Sequence, residues 1–486
     1  MTFMVESDAD TTVDEVDAIV EAAAAAAGPW AASEPVDRAR MLDGIADRLD
    51  AHAAELIPLA MRETHLAEPR LAGELKRTSF QLRLFAQQVL DGGFLDVRID
   101  GADADWPMGA PRPDLRRMNI PLGPVLNFAA SNFPFAFSVP GGDTASALAA
   151  GCPVIVKGNP GHPALSRAVG RLIDEAIAEC GAPGGTFGLI FGRAAGVQAL
   201  THPAVAAVAF TGSTAGGRAL YDLACRRPVP IPFYGELGSI NPVFVTADAA
   251  QSRATEIAEG LLTAVSSSAG QLCTKPGLVA VPEGSPVPAE LARTAPVPTG
   301  EMLNDAIAAG FARAVEQVRS HPEVRVLAGG GPGEALLLAT TARTVLADRD
   351  ALMHEMFGPA TLLVSYRDTA ELLALARSVH GELTVSVFGD HADDTTRALL
   401  AAAAGTAGRV LWNAWPTGLS VTYAQQHGGP YPASTAPSAT SVGTAAIMRF
   451  LRPVAFQSVP EELLPPQLRT ENPLGVPRSV NGARAQ

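Results

Sequence analysis

From Val13 to about Phe94 the apolar residues recur at helical spacing, with Met41, Ile45 and Leu49 on one stripe, Ser33 as a candidate cap and Pro35 in the first turn. The pattern predicts helices that cover a sheet. Over about 95–118 the character changes: Gly101, Trp106, Pro107, Pro111 and Pro113 separate strand-like pieces, which reads as a hairpin or arm outside the main core. From 119 to about 246 short apolar runs alternate with helical stretches: Pro153 to Lys157, a helix from Pro163 to Glu179, Val205 to Phe210, a helix from about Gly216, then Pro242 to Val245. That alternation is the pattern of right-handed βαβ crossovers in a parallel sheet, with ligands expected at the strand C-termini. A second alternation follows, with strands at Leu278–Val281, Thr361–Tyr366, Leu383–Phe388 and Arg409–Leu411 and helices at about 300–319 and 369–379. The end of the chain predicts a strand from Phe450 to Phe456 and then a proline-rich, extended tail.

Composition narrows the function classes. The 486 residues are 47% hydrophobic and 18% charged, inside globular limits, and are long enough for two or three cooperating subdomains. Lys and Arg number 36 against 50 Asp and Glu, a net charge of −14 that argues against nucleic acid or an anionic membrane as the main partner and favours a small ligand. Four cysteines, Cys152, Cys180, Cys225 and Cys273, are too few for a disulfide framework and suit a reducing compartment. The acidic start, Met1 to Asp10, has no secretory pattern, and no uncharged apolar window of about 20 residues is present to span a bilayer. A cytoplasmic location is expected.

Candidate chemistry is dispersed. The nine histidines form no HxxxH or CxxH pair, so their spacing gives no support for a metal centre. Gly329-Gly330-Gly331-Pro332-Gly333 breaks the dinucleotide fingerprint at Glu334 and reads as a loop. Cys273 follows a run of small residues, Ser266 to Ala269, which would leave a thiolate reachable by a carbonyl carbon; the plainer reading is a buried structural cysteine. Glu236, at a strand-to-loop junction, is a candidate base or merely a capping carboxylate. Asn132, beside the rigid Phe133-Pro134 turn, is a candidate oxyanion donor or simply part of that turn. Thr211 to Gly217 follows a strand and opens a helix, where backbone N–H groups receive phosphate, and Lys157 at a neighbouring strand tip could reach the same ligand.

Taken in order, Ser131-Asn-Phe-Pro134, Val154-Ile-Val-Lys157, Phe210-Thr-Gly-Ser213, Glu236-Leu-Gly238, Gly270-Gln-Leu-Cys273, Glu355-Met-Phe-Gly-Pro359 and Asn413 resemble the aldehyde dehydrogenase superfamily over residues 13 to about 457. The resemblance implies an α/β fold with a Rossmann-type NAD(P)-binding domain (1–95 and 119–238), an α/β catalytic domain (239–448), and an oligomerisation arm with a C-terminal tail (96–118 and 449–486). It implies Cys273 as the nucleophile, Asn132 with the Cys273 backbone N–H as oxyanion holder, and Glu236 as activator of water on the thioester. Losing an oxyanion donor of this kind costs about 10²–10³ in rate. Lys157, Gly212, Ser213 and Gly217 would hold the dinucleotide, with Glu355 and Phe357 at the nicotinamide ribose and ring. A homodimer or homotetramer is expected from the arm.

Two departures refine this. After Lys157 relatives usually carry Pro-Ala-Glu, whose glutamate binds the adenosine ribose; here the run is Gly158-Asn-Pro-Gly-His162. Without that carboxylate a 2′-phosphate is not repelled, and Lys157 with Arg193 could pair with it, so NADP is expected, with NAD possible. The segments Phe128–Ser138, Glu236–Pro242, His427–Ser434 and Thr440–Thr444 resemble the branch holding α-ketoglutarate semialdehyde (2,5-dioxopentanoate) dehydrogenases and NADP-linked fatty aldehyde dehydrogenases. The leading expectation is oxidation of α-ketoglutarate semialdehyde to α-ketoglutarate; the alternatives are a fatty or aliphatic aldehyde and a non-catalytic binding protein on the same fold. Lys275, Arg449 and Arg452 are candidates for a substrate carboxylate, and a Lys275 ammonium near the thiol would depress its pKa. Phe133, Phe135, Phe137 and Trp415 are candidate linings of an apolar tunnel.

Overall fold

The computed structural model describes residues 10–485; the reading of Met1–Ala9 lies outside them. The N-terminal helices α1 (Val13–Ala31), α2 (Pro35–Ala51), α3 (Ala53–Thr64) and α4 (Glu68–Asp91) follow the amphipathic pattern, and Met41, Ile45 and Leu49 are all buried. Ser33 does not cap α2. Glu34 holds that position without a side-chain bond, and the Ser33 hydroxyl instead donates to Trp30 O at 2.6 Å.

The strands divide into three sheets. β1 (Val97–Asp100) and β2 (Leu115–Pro121) belong to the sheet of the arm. β3 (Val125–Phe128), β4 (Val154–Lys157), β5 (Phe187–Ile190), β6 (Ala207–Thr211) and β7 (Phe233–Glu236) form an all-parallel sheet in the order β5-β4-β3-β6-β7. The intervening helices α5 (Gly142–Ala150), α6 (Pro163–Glu179), α7 (Arg193–Thr201) and α8 (Thr214–Cys225) supply the crossovers. Because the chain leaves β3 in one direction and returns to its other side as β6, the order reverses between these two strands, opening a crevice at their C-terminal ends.

β8 (Val243–Val245), β9 (Leu278–Pro282), β10 (Arg325–Gly329), β11 (Leu336–Thr341), β12 (Ala360–Tyr366), β13 (Glu382–Phe388) and β14 (Ala407–Trp412) make the second sheet, ordered β10-β11-β12-β9-β8-β13-β14. All its neighbours are parallel except β10 and β11. The glycine cluster at 329–333 is the turn between those two strands: Gly329 is at φ +69, where a Cβ would collide with the Ala335 carbonyl. Both strands are absent from the sequence reading, β10 because Arg325–Gly329 has no buried face to give it an apolar pattern.

β15 (Leu451–Gln457), β16 (Arg478–Val480) and β17 (Ala483–Ala485) complete the arm sheet in the order β15-β2-β1-β16-β17. The proline-rich tail therefore does not simply extend; it folds back so that β16 pairs with β1 in parallel. No helix of the described residues is long and apolar enough to cross a membrane.

Candidate functional site

Cys273 sits where the helix Ala254–Ser266 ends and the chain turns toward β9. Ser268, Ala269 and Gly270 take φ of 51, 52 and 67, three consecutive left-handed residues that swing the turn outward. At Gly270 a Cβ would collide with the Gly358 carbonyl, so the turn packs directly on the segment that carries Glu355. From the other side Asn241, itself left-handed at φ 52, donates through Nδ2 to Cys273 O at 2.8 Å and Lys275 O at 3.1 Å. Its Nδ2 is held in place because Oδ1 accepts from the hydroxyl of Thr384 at 3.0 Å. Asn132 is buried and donates through Nδ2 to Gln271 O at 3.0 Å, which brings its amide next to the cysteine turn.

Glu236 ends β7. Leu237 N donates to Ala433 O at 2.8 Å, and Glu236 bridges Ser434, so the loop 427–441 is stitched onto the strand end. This delivers a residue to which the sequence reading gave no role: the fully buried His427 has Nε2 2.9 Å from Glu236 Oε1 and 3.5 Å from Cys273 Sγ. The other carboxylate oxygen accepts from the Ser441 hydroxyl at 2.6 Å. The donor atoms of Glu236, Cys273 and His427 lie within 4.8 Å of one another, and their mutual hydrogen bonds account for the convergence. Behind the carboxylate a cavity of about 20 Å³, bordered by Glu236, His427, Ser441 and Arg449, has room for one water.

The electrostatics set resting protonation states. Burial pushes the Cys273 thiol well above its ordinary range, the Glu236 charge and the hydrogen bond to it push further, and Arg77 opposes. Burial also works against the Glu236 charge, but His427, Ser441 and Cys273 together outweigh it and hold this carboxyl below its usual value. With Glu236 ionised, His427 Nε2 carries the proton of their bond. The rest state is thus a neutral thiol facing an ionised, hydrogen-bonded carboxylate, a pair able to pass one proton when an electrophile arrives.

A cavity of about 400 Å³ opens in front of the thiol, bordered by Arg70, Glu74, Arg77, Phe133, Phe137, Ser267, Ser268, Leu272, Cys273 and Thr417–Leu419 among others. Phe133 and Phe137, expected in the substrate path, do line it, ring to ring at 5.4 Å, and Phe137 also stacks edge-on against His427 at 6.1 Å. Lys275 and Arg449 are not brought to it. Lys275 is buried and donates from Nζ to Ala360 O at 2.6 Å, and burial lowers its pKa to about 8 with Glu355 opposing. Its proximity in sequence does not give it the thiol, because its ammonium is taken up by the Ala360 carbonyl; the cation that favours the thiolate is Arg77. Arg449 is buried in an ion pair with Asp143 at 2.7 Å. Arg452 is exposed on β15, Phe135 is fully buried core, and Trp415, half-buried, packs on Phe388 at 4.9 Å against the core of the second sheet. The cations that do line the cavity, Arg70 and Arg77, both come from α4, whose amphipathic pattern reads only as cover for the sheet.

At the C-terminal ends of β3, β4 and β6 a separate cavity of about 650 Å³ is bordered by Phe128, Lys157, Arg193, Phe210, Gly216 and Arg226 with apolar residues of α7 and α8. Lys157 and Arg193 are therefore brought together as expected, and Arg226 joins them; among the described residues no carboxylate lines the cavity, and the nearest acid acting on Lys157 is Asp10. Ser213 caps α8, accepting from Gly216 N at 3.3 Å, and Gly212 N donates to Glu236 O at 3.1 Å. Gly217 serves packing, since a Cβ there would strike the Leu237 side chain. Glu355, half-buried with Phe357 in the same segment, reaches this end of the site: a Cβ at Gly238 would lie 2.5 Å from Glu355 Oε2 and 2.8 Å from Thr214 Oγ1. Burial holds the Glu355 carboxyl up at about 7 against the pull of Lys275. A crevice of this volume at the sheet's switch point, beside a capped helix N-terminus and three cations, fits a dinucleotide.

Comparison with known proteins agrees with the fold. The aldehyde dehydrogenase family model matches residues 4–450. The chain is 45% identical over 460 residues to α-ketoglutaric semialdehyde dehydrogenase 2 of Azospirillum brasilense, covering 92% of this chain and 87% of that one. It is 39% identical over 487 residues to α-ketoglutaric semialdehyde dehydrogenase of Acinetobacter baylyi, covering 98% and 92%. In fold it is similar to a 1-pyrroline-5-carboxylate dehydrogenase from Thermus with bound NAD, at a TM-score of 0.78 and 22% identity, covering 92% and 86%.

Proposed function

The chain belongs to the aldehyde dehydrogenase family, and from that premise we propose that it oxidises α-ketoglutarate semialdehyde to α-ketoglutarate with NADP as the preferred acceptor. The observation that carries the substrate is the near full-length similarity to two α-ketoglutaric semialdehyde dehydrogenases, at 45% and 39% identity. The cationic lining of the cavity at Cys273 supports an anionic aldehyde over a long aliphatic one.

When bound, the nicotinamide dinucleotide supplies the hydride acceptor. The chain's own residues do the rest. The Cys273 thiol passes its proton to Glu236 as sulfur attacks the aldehyde carbon, and the resulting oxyanion takes the hydrogen bond that Asn132 Nδ2 now spends on Gln271 O. Once the carbon is at the thioester level and Glu236 has released the thiol's proton to solvent, the carboxylate, oriented by His427 and Ser441, removes a proton from the attacking water, and the acid product leaves with Cys273 departing as the thiolate. Lys157, Arg193 and Arg226, which outnumber the neighbouring acid Asp10, favour a dinucleotide carrying the extra phosphate. Four unpaired cysteines support a reducing, cytoplasmic setting, and the arm sheet supports a homo-oligomer.

Initial rates of nicotinamide reduction test the reading, with α-ketoglutarate semialdehyde, pentanal and a long-chain aldehyde, each with NADP and with NAD. The highest kcat/KM is expected for the keto-acid semialdehyde with NADP, and Arg193→Met is expected to narrow the NADP preference. Preference for the long-chain aldehyde would overturn the substrate assignment, and preference for NAD the cofactor assignment.

A further inference from the structure

We infer that Arg77 is the residue that recognises the carboxylate of the substrate, making the Cys273 cavity selective for aldehydes with an anionic group at the far end. The inference rests on the proposed substrate and adds the residue that reads it.

The case starts from one face of α4, where Arg70, Glu74 and Arg77 stand at helical spacing and all border the cavity. Glu74 is saturated. Its Oε1 accepts from the backbone N–H groups of Phe135 and Ala136, both at 2.8 Å, and its Oε2 is paired with Arg70. Arg70 is also spent: beyond Glu74 it donates to Asn132 O at 2.9 Å and Ser268 Oγ at 3.2 Å. A third arginine that senses the thiol, Arg409, donates to the carbonyls of Gly418 and Pro416, both at 2.6 Å.

Arg77 differs from all three of these groups. Its Nε and Nη2 are buried with no hydrogen-bond partner. Its guanidinium lies over the rings of Phe133 and Phe137, at 5.9 and 5.4 Å from their centroids, which fixes the plane of the fork without satisfying its N–H edge. Arg77 as a whole is half-buried and borders the nucleophile's cavity, so a modest turn of its side chain presents the unsatisfied fork to a planar, bidentate anion. In a 2,5-dioxopentanoate the carboxylate is four carbon–carbon bonds from the aldehyde, so one end can reach sulfur while the other meets Arg77.

Steady-state kinetics of the full chain with α-ketoglutarate semialdehyde, succinate semialdehyde and pentanal test this, with melting temperatures as the control for folding. Arg77→Met is expected to raise KM for both anionic aldehydes by about 10- to 100-fold, the worth of a charge-assisted pair, while KM for pentanal does not rise. Arg77→Lys, which keeps charge but not the fork, is expected to fall between. An equal loss with pentanal would overturn the inference in favour of an action on the thiol or on packing, as would an unchanged KM for both anions. If the wild type prefers succinate semialdehyde and Arg77→Met loses that preference, the proposed substrate falls and the carboxylate assignment stands. If neither anion has any advantage over pentanal in the wild type, both fall.

Discussion

The imidazole of His427 meets the carboxylate of Glu236 at 2.9 Å, with both side chains buried. The same Nε2 lies 3.5 Å from Cys273 Sγ. One nitrogen facing both the nucleophile and its base couples the two halves of the reaction, since any proton that Glu236 gains changes what His427 can donate and what the thiolate feels.

His427→Gln removes this coupling while leaving an amide of similar size, and it is expected to lower kcat by about 10²–10³, within the usual range for an acid–base group. The loss should fall on hydrolysis of the thioester. Rapid quenching followed by mass spectrometry should then find the variant carrying an acyl group on Cys273 in the steady state. Unacylated enzyme at the same reduced kcat would instead place His427 in the attack step.

How far the sequence foretold this site depends on which interactions are local. Cys273, Glu236 and Asn132 stand in motifs whose neighbours set their own backbone, and the structure brings all three to one place. Of the parallel sheet β3–β7 only β4 and β6 were legible, as short apolar runs between helical stretches, whereas Pro242–Val245, read with them, is β8 of the second sheet. His427 was not, because its partners are 154 and 191 residues away and only the stitching of Leu237 to Ala433 unites them. Lys275 and Arg449 misled because proximity to a motif does not fix where a side chain points; one ends on the Ala360 carbonyl and the other on Asp143. Arg77 was hidden inside a helix whose pattern speaks only of the face it buries.

The electrostatic arrangement makes a prediction with a definite sign. Burial first, and then the Glu236 charge and hydrogen bond, raise the Cys273 thiol, so replacing that carboxylate with an amide should lower its pKa and enlarge the thiolate fraction at neutral pH. Glu236→Gln is therefore expected to be alkylated by iodoacetamide faster than wild type at pH 7.5, with its rate profile moved to lower pH, even as turnover collapses. Slower alkylation would mean that Glu236 already takes the proton in the resting enzyme, and the neutral-thiol description would be wrong.

Beneath the site, Glu382 makes a stability prediction. Its Oε2 accepts from Ser239 Oγ at 2.6 Å, Ile240 N at 2.7 Å and Asn241 N at 3.0 Å, fixing the loop whose Asn241 holds the Cys273 turn. Burial, outweighing those bonds, lifts this carboxyl to about 7 from an ordinary 4.5. Between those values the folded chain keeps a proton that the unfolded chain has released, so this group's contribution is fully present below the lower value and is lost as pH rises through the higher. Glu382→Gln keeps an oxygen for the three donors and removes the titration. Its melting temperature relative to wild type should therefore rise between pH 5 and pH 8, by the equivalent of up to about 3 kcal/mol, because every other titrating group is common to both proteins and cancels. A difference that stays constant over that range would mean that the three hydrogen bonds hold Glu382 ionised throughout, and that the loop is anchored by a charge rather than by a protonated acid.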